Sequence, residues 1–139
     1  HFQSDLTRHL YTWWHSFDPG LPRVEDFNLA DHPQIAANLF LIRPLGDGRF
    51  EYRLNGEEVV NIIGHSLKGS IFTLNDEMLG DRALAHYHQQ IVKTRLCYSC
   101  TGEFSIPRRA PRRFESVDCP LMDADGQVTR IVGVLVALT

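Results

Sequence analysis

Between residues 39 and 55 the chain spells an antiparallel hairpin. Leu39-Phe40-Leu41-Ile42 is a short apolar run and Gly46-Asp47-Gly48 a dense turn signal. Phe50, Tyr52 and Leu54 then alternate with Glu51 and Arg53. The hairpin comes before the strongest helical pattern, Gly80 to Leu96. There Leu84, Tyr87, Ile91 and Arg95 share one stripe, flanked by His88 and Val92. Three more strand-like segments follow: Cys97 to Phe104, Phe114 to Leu121 and Val128 to Ala137. An arginine-rich loop, 107–113, joins the first two, and Asp123-Ala124-Asp125-Gly126 turns the chain between the last two. Strands on both sides of a helical block imply an α+β domain, with a mostly antiparallel sheet and helices gathered on one face.

Shorter elements fill in the order. Leu6, Leu10, Trp13, Trp14 and Phe17 form one apolar stripe, with Ser4 or Asp5 to cap the helix and Asp18-Pro19-Gly20 to stop it. Leu21 to Asp31 reads as a connector, and Asp31-His32-Pro33 predicts one helical turn over 33–37. Gly56 to Ile63 reads as a short helix closed by Gly64, and Leu67 to Phe72 as an irregular link.

With 139 residues, 43% hydrophobic and 22% charged, the chain has the bulk of one globular domain. A net charge of -3 supplies no basic field for nucleic acid. The longest apolar run, Ile131 to Leu138, has strand length, so no membrane span is expected. Three cysteines, an odd number, fit a reduced, cytoplasmic setting better than a disulfide framework. The opening residues lack a signal-peptide pattern, and residues 1–4 read either as the remnant of a cleavable tag or as native chain. The expected division is an N-terminal helix and connector over 1–31 and the main domain over 32–139.

The hairpin sequence Phe50-Glu51-Tyr52-Arg53-Leu54-Asn55-Gly56, then Val59-Val60 and Gly64-His65-Ser66-Leu67-Lys68-Gly69, resembles the core motif of a family of small bacterial PAS domains. Asn38 to Ile42 matches that family's first strand. Cys119-Pro120-Leu121 and Ile131-Val132-Gly133-Val134-Leu135 match its ending. One departure is Ser66, where the family usually carries an acid. The resemblance implies the PAS fold: a five-stranded antiparallel sheet of order 2-1-5-4-3, with short helices and one longer helix on one face and the N-terminal helix added. It also implies a sensory or interaction module, whose partner is a small molecule or a signalling protein.

On that fold the candidate ligand-binding residues are Phe40, Tyr52, Arg53, Val60, Ile63, Phe72, Leu84, Tyr87, His88, Ile91 and Cys119. Arg53 points opposite Tyr52 on its strand; if buried, it needs a carboxylate partner. Leu10, Trp13, Trp14 and Phe17 must be covered, by the chain's own sheet or by a second copy, and homodimerisation through them is expected. The cofactor stays open. Haem needs one histidine aimed into an apolar cavity. His86 and His88 lie about 200° apart on a helix, so at most one faces inward, and both read as ordinary, partly exposed side chains. Flavin photosensors of this fold carry an Asn-Cys-Arg-Phe-Leu-Gln-like segment that is absent here. Cys97 and Cys100 point to opposite faces of a strand and chelate poorly, so no metal is expected. The cysteines read as plain buried thiols. No catalytic residue is assigned, since no nucleophile motif or phosphate loop is present.

Two rival readings remain. One is a ligand-free scaffold for protein–protein contact. The other is a small-molecule enzyme on a cone-shaped α+β fold, with acids such as Glu103 or Asp118, although the early hairpin argues against that order. A cavity of about 300 Å³ or more with convergent polar groups favours a binding site. An acid of raised pKa at its floor favours the enzyme.

Overall fold

The computed structural model describes residues 2–104, 108 and 110–138. The hairpin forms as expected, from β1 (Leu39–Gly46) and β2 (Arg49–Asn55). All three residues of its turn take the left-handed conformation, with φ of 87°, 55° and 72° at Gly46, Asp47 and Gly48, which explains two glycines in three positions. Helix α2 (Glu57–Ile63) follows, ended by Gly64 at φ 101°. The long helix α3 spans Leu79–Thr94. Strands β4 (Tyr98–Phe104), β5 (Arg112–Met122) and β6 (Val128–Leu138) complete the chain.

The expected order of five strands is present, with one addition. Ile71–Thr73 (β3), whose first two residues fall in the stretch read from sequence as an irregular link, pairs with β2 as a short edge strand; in chain order it sits between α2 and α3. The sheet therefore has six strands among the described residues, ordered edge strand, β2, β1, β6, β5, β4, all antiparallel. Phe72 makes the extra strand stick, because it sits opposite Phe50 with the rings stacked at 5.4 Å. The turn expected over 33–37 is displaced. Single 3₁₀ turns occupy Leu29–Asp31 and Ala36–Asn38, because Asn28 rather than Asp31 caps the first by accepting from the Ala30 amide. In the arginine loop, Arg108 is exposed, Arg112 and Arg113 already belong to β5, and Pro107 and Arg109 lie outside the described residues.

The sheet is apolar on both faces, and each face has its own cover. Helices α2 and α3 lie over the face that carries Phe40, Ile42, Tyr52 and Ile131. The N-terminal helix α1 (Asp5–His15) lies over the opposite face, against Val117, Leu121, Val132 and Val134. This corrects the interface expectation for two residues: Leu10 and Trp14 are 0% and 2% exposed, packed on the chain's own sheet. Trp14 Nε1 also donates to the Pro120 carbonyl at 2.8 Å. Trp13 and Phe17 stay half-buried, and Trp13 packs edge-on against Phe17, Phe27 and His32.

A buried carboxylate ties α1 down. Glu115 on β5 accepts from the Gln3 amide at 2.8 Å, the Ser4 amide at 3.0 Å and the Thr7 hydroxyl. Desolvation pushes its pKa up, but these three donors outweigh it and hold the carboxyl below its ordinary range. Cys97 and Cys119 form a disulfide, against the expectation of plain thiols and the compartment argument built on them. Strand register is the cause. Tyr98 pairs with Asp118, so the next residues outward, 97 and 119, face each other on the α1 side of the sheet with Cα atoms 4.4 Å apart. Among the described residues no helix is long and apolar enough to cross a membrane.

Candidate ligand cavity

Alternation along β5 carries the site. Val117, Cys119 and Leu121 serve the α1 face, so Phe114, Ser116 and Asp118 point the other way. There the sheet, α2, the edge strand and α3 stand apart far enough to leave a cavity of about 780 Å³. Its wall is mostly aromatic and aliphatic: Phe40, Tyr52, Phe72 and Phe114, with Ile63 and Leu84.

Seven of the residues named from sequence lie together on this wall: Phe40, Tyr52, Ile63, Phe72, Leu84, Tyr87 and His88. Four do not. Cys119 has the wrong parity on β5 and is bonded to Cys97 behind the sheet. Arg53 is exposed on its strand, beside Glu51 at 3.4 Å, so the buried pair it would have needed does not arise. Val60 yields its place to Val59, the α2 residue that faces inward. Ile91 is fully buried one turn beyond His88, where the core is filled.

Sequence reading named Asp118 for the enzyme alternative alone, and did not name Ser116 beside it at the polar floor. Asp118, 2% exposed, accepts through Oδ2 from the Tyr87 hydroxyl at 2.6 Å and from Ser116 Oγ at 3.1 Å. Among the described residues its other oxygen, Oδ1, has no hydrogen bond. His88 Nε2 stands 3.9 Å from Oδ1, too far for one. His88 is fully buried, against the sequence expectation of a partly exposed ring, while His86 is exposed as expected. The rings of Phe50, Phe72 and Tyr87 surround it. Its Nδ1 lies 2.9 Å from the Leu84 carbonyl. A carbonyl only accepts, so Nδ1 carries the proton and Nε2 is a bare acceptor. Nε2 has no partner among the described residues.

Burial sets the protonation of this floor. It drives the His88 pKa down to about 4, partly resisted by the bond to Leu84, so the ring is neutral at pH 7. It drives Asp118 up to about 7, partly resisted by its two hydroxyl donors. Burial and the Asp118 carboxylate also push the Tyr87 and Tyr52 phenols to higher pH. The Cys100 thiol, on the same wall, is raised mainly by burial. Asp118 is thus the group poised to gain or lose a proton near neutrality.

Two cofactors known on folds of this kind can be tested against these residues. A flavin nucleotide brings a phosphate. The lining holds Asp81, Glu103 and Asp118, and no Lys or Arg among its described residues, so the phosphate is ill served. Haem needs open apolar space before the ligating nitrogen; here the Asp118 carboxylate stands beside it. Neither group fits. Among the described residues no cluster of three His, Cys, Asp or Glu is placed to hold a metal ion.

A family model described as PAS domain matches residues 2–136, which includes α1. No curated protein matched the chain. Solved structures share its fold at low identity. One, from a study of a flavin analogue and the mechanism of a light-oxygen-voltage domain, has a TM-score of 0.58 at 12% identity, covering 82% of this chain and 87% of that one. The dark structure of the blue-light photoreceptor Aureochrome1 LOV has a TM-score of 0.57 at 15% identity, covering 82% and 85%. A sensory box histidine kinase/response regulator from Burkholderia thailandensis E264 gives 0.50 at 18%, covering 79% and 82%.

Proposed function

The chain belongs to the PAS domain family, and from that premise we propose that it is a sensory module whose signal is occupancy of the cavity by a small organic molecule. The family supports a sensory role in general. The specific support is one observation: a cavity of about 780 Å³ with aromatic walls and a buried, incompletely paired carboxylate–imidazole floor. An unpaired buried polar atom costs about 1–3 kcal/mol, and a ligand that supplies the missing partner recovers it. A scaffold with a filled core has no use for such a floor.

The output would leave through β5. That strand presents Ser116 and Asp118 to the cavity and Glu115 to α1, so an occupant that shifts the strand also shifts the helix anchor. A ligand moves this equilibrium only by binding two arrangements unequally. The raised pKa of Asp118 would equally suit proton transfer. The family's general role is sensory, which favours ligand sensing over catalysis as the reading of this floor.

The test is native mass spectrometry of the purified chain, followed by denaturation and extraction. A small molecule that leaves on unfolding supports the reading. Bare protein that also gains no thermal stability from a library of small aromatic compounds would refute it, in favour of a partner-binding scaffold.

A further inference from the structure

We infer that the cavity selects an organic cation with N–H donors on an apolar body: a primary amine, in preference to an alcohol, a carboxylate or a phosphate ester. The inference rests on the ligand-binding reading and names the ligand class for the same cavity.

The count of donors and acceptors carries it. Both hydroxyls at the floor already donate to Asp118 Oδ2. What remains without a hydrogen bond at the floor, among the described residues, is Asp118 Oδ1 and His88 Nε2, and both accept. Two acceptors 3.9 Å apart are bridged by one atom that carries at least two hydrogens. Placed about 2.8 Å from each, that atom sees them at roughly a right angle, within reach of an ammonium. An alcohol has one hydrogen and serves one acceptor. A carboxylate or phosphate has none to give and meets an unpaired oxygen of its own kind.

Charge and surface agree. The lining carries Asp81, Glu103 and Asp118, with no Lys or Arg among its described residues. The faces of Phe40, Tyr52, Phe72 and Phe114 favour an apolar body and tolerate a cation beside it. The groups around Asp118 are Tyr87, His88 and Asp81 from α3, Tyr98 and Cys100 from β4, Tyr52 from β2 and Ser116 on its own strand; β6 offers only Gly133 opposite it. His88 titrates well below neutrality, and Tyr52, Tyr87 and Cys100 are pushed above their ordinary values. An ammonium pairs with the ionised carboxylate, so amine affinity should rise as pH passes upward through about 7.

Calorimetric titration of the full chain tests this with three aromatic probes of matched size: phenethylamine, phenethyl alcohol and phenylpropanoate. The amine is expected to bind roughly 10- to 100-fold more tightly than the alcohol. Its affinity should fall on acidification to about pH 6. Asp118→Asn should remove both the amine's advantage over the alcohol and its dependence on pH. If the alcohol or phenylpropanoate binds as well as the amine, the inference is overturned while the cavity reading stands. If none of the three binds, the co-purifying molecule decides. An amine supports the inference, any other compound overturns it, and no compound at all removes the cavity reading with it. Should Asp118→Asn fail to fold, the wild-type ranking and its pH dependence decide alone.

Discussion

Replacing Asp118 by Asn should make the protein more stable in mild base. The folded chain holds the Asp118 proton to about pH 7, whereas an exposed aspartate releases it near 3.8. Between those values the folded state binds the proton more tightly than the unfolded state, so stability falls as pH rises. It is fully present below the lower value and lost by the upper. At 1.36 kcal/mol per unit, the loss across the window is about 4 kcal/mol. Asn removes the ionisation, keeps an acceptor for Tyr87 and Ser116, and turns an amide donor toward His88 Nε2. Urea denaturation of both proteins at about pH 4 and about pH 8.5 measures the effect. The two should match within about 1 kcal/mol in acid, and the variant should lead by about 3 kcal/mol in base. The difference between proteins is the useful quantity, because His88 works in the opposite direction: its lowered pKa removes stability as pH falls below about 6.5, in both proteins alike. A variant less stable than its parent at pH 8.5 would refute the reasoning, since Asp118 would then be a structural anion. A stabilised variant would mean that the carboxylate is kept at a cost to the fold, as functional groups commonly are.

Three further outcomes are expected. Glu115→Gln should cost about 2 kcal/mol at neutral pH, because two backbone amides and a hydroxyl lose a charged acceptor. Its depressed pKa means the parent loses that contribution as pH falls through the folded value, so the gap closes in acid; hydrogen exchange at the α1 amides would report the loosened helix. Gly56→Ala should destabilise by roughly 1–3 kcal/mol in thermal melts, since its Cβ would clash with the Ala37 carbonyl oxygen, and backbone there has little room to yield. Reducing Cys97–Cys119, whose partners are 22 residues apart, should cost about 3 kcal/mol; thiol titration should find one free thiol before reduction, from Cys100, and three after.

What was legible in the sequence was periodicity and punctuation. The alternation at Phe50, Tyr52 and Leu54 and the turn at 46–48 placed the first hairpin, and Gly64 placed the end of α2. The strand order came from the resemblance, because pairing between distant strands leaves no local trace. The short edge strand was missed for the same reason: Ile71–Thr73 is a strand only because β2 lies beside it. Positions on the cavity wall were legible where a long helix gives several turns of evidence, as at Leu84, Tyr87 and His88, and missed where one step of parity decides. Val60 and Cys119 each sit one residue from a wall residue, Val59 and Asp118. A signal for Asp118 did exist, an acid set among Val117, Cys119, Pro120 and Leu121 and in step with Ser116 and Phe114. The disulfide had no such signal. Its two cysteines are brought opposite by the β4–β5 register, which spacing along the chain does not reveal.

The two-sided character of β5 has a consequence for how such a domain can diverge. Even-numbered residues from Phe114 to Asp118 face the cavity, and odd-numbered residues from Glu115 to Leu121 hold α1 and the disulfide. Ligand chemistry can therefore be rewritten at every second position while the support for the helix is inherited unchanged. Descendants of one ancestor could differ completely in what they detect and still share how they report it. A deep mutational scan of this strand, scored once for ligand binding and once for folding, should split into two interleaved tolerance profiles with a period of two residues.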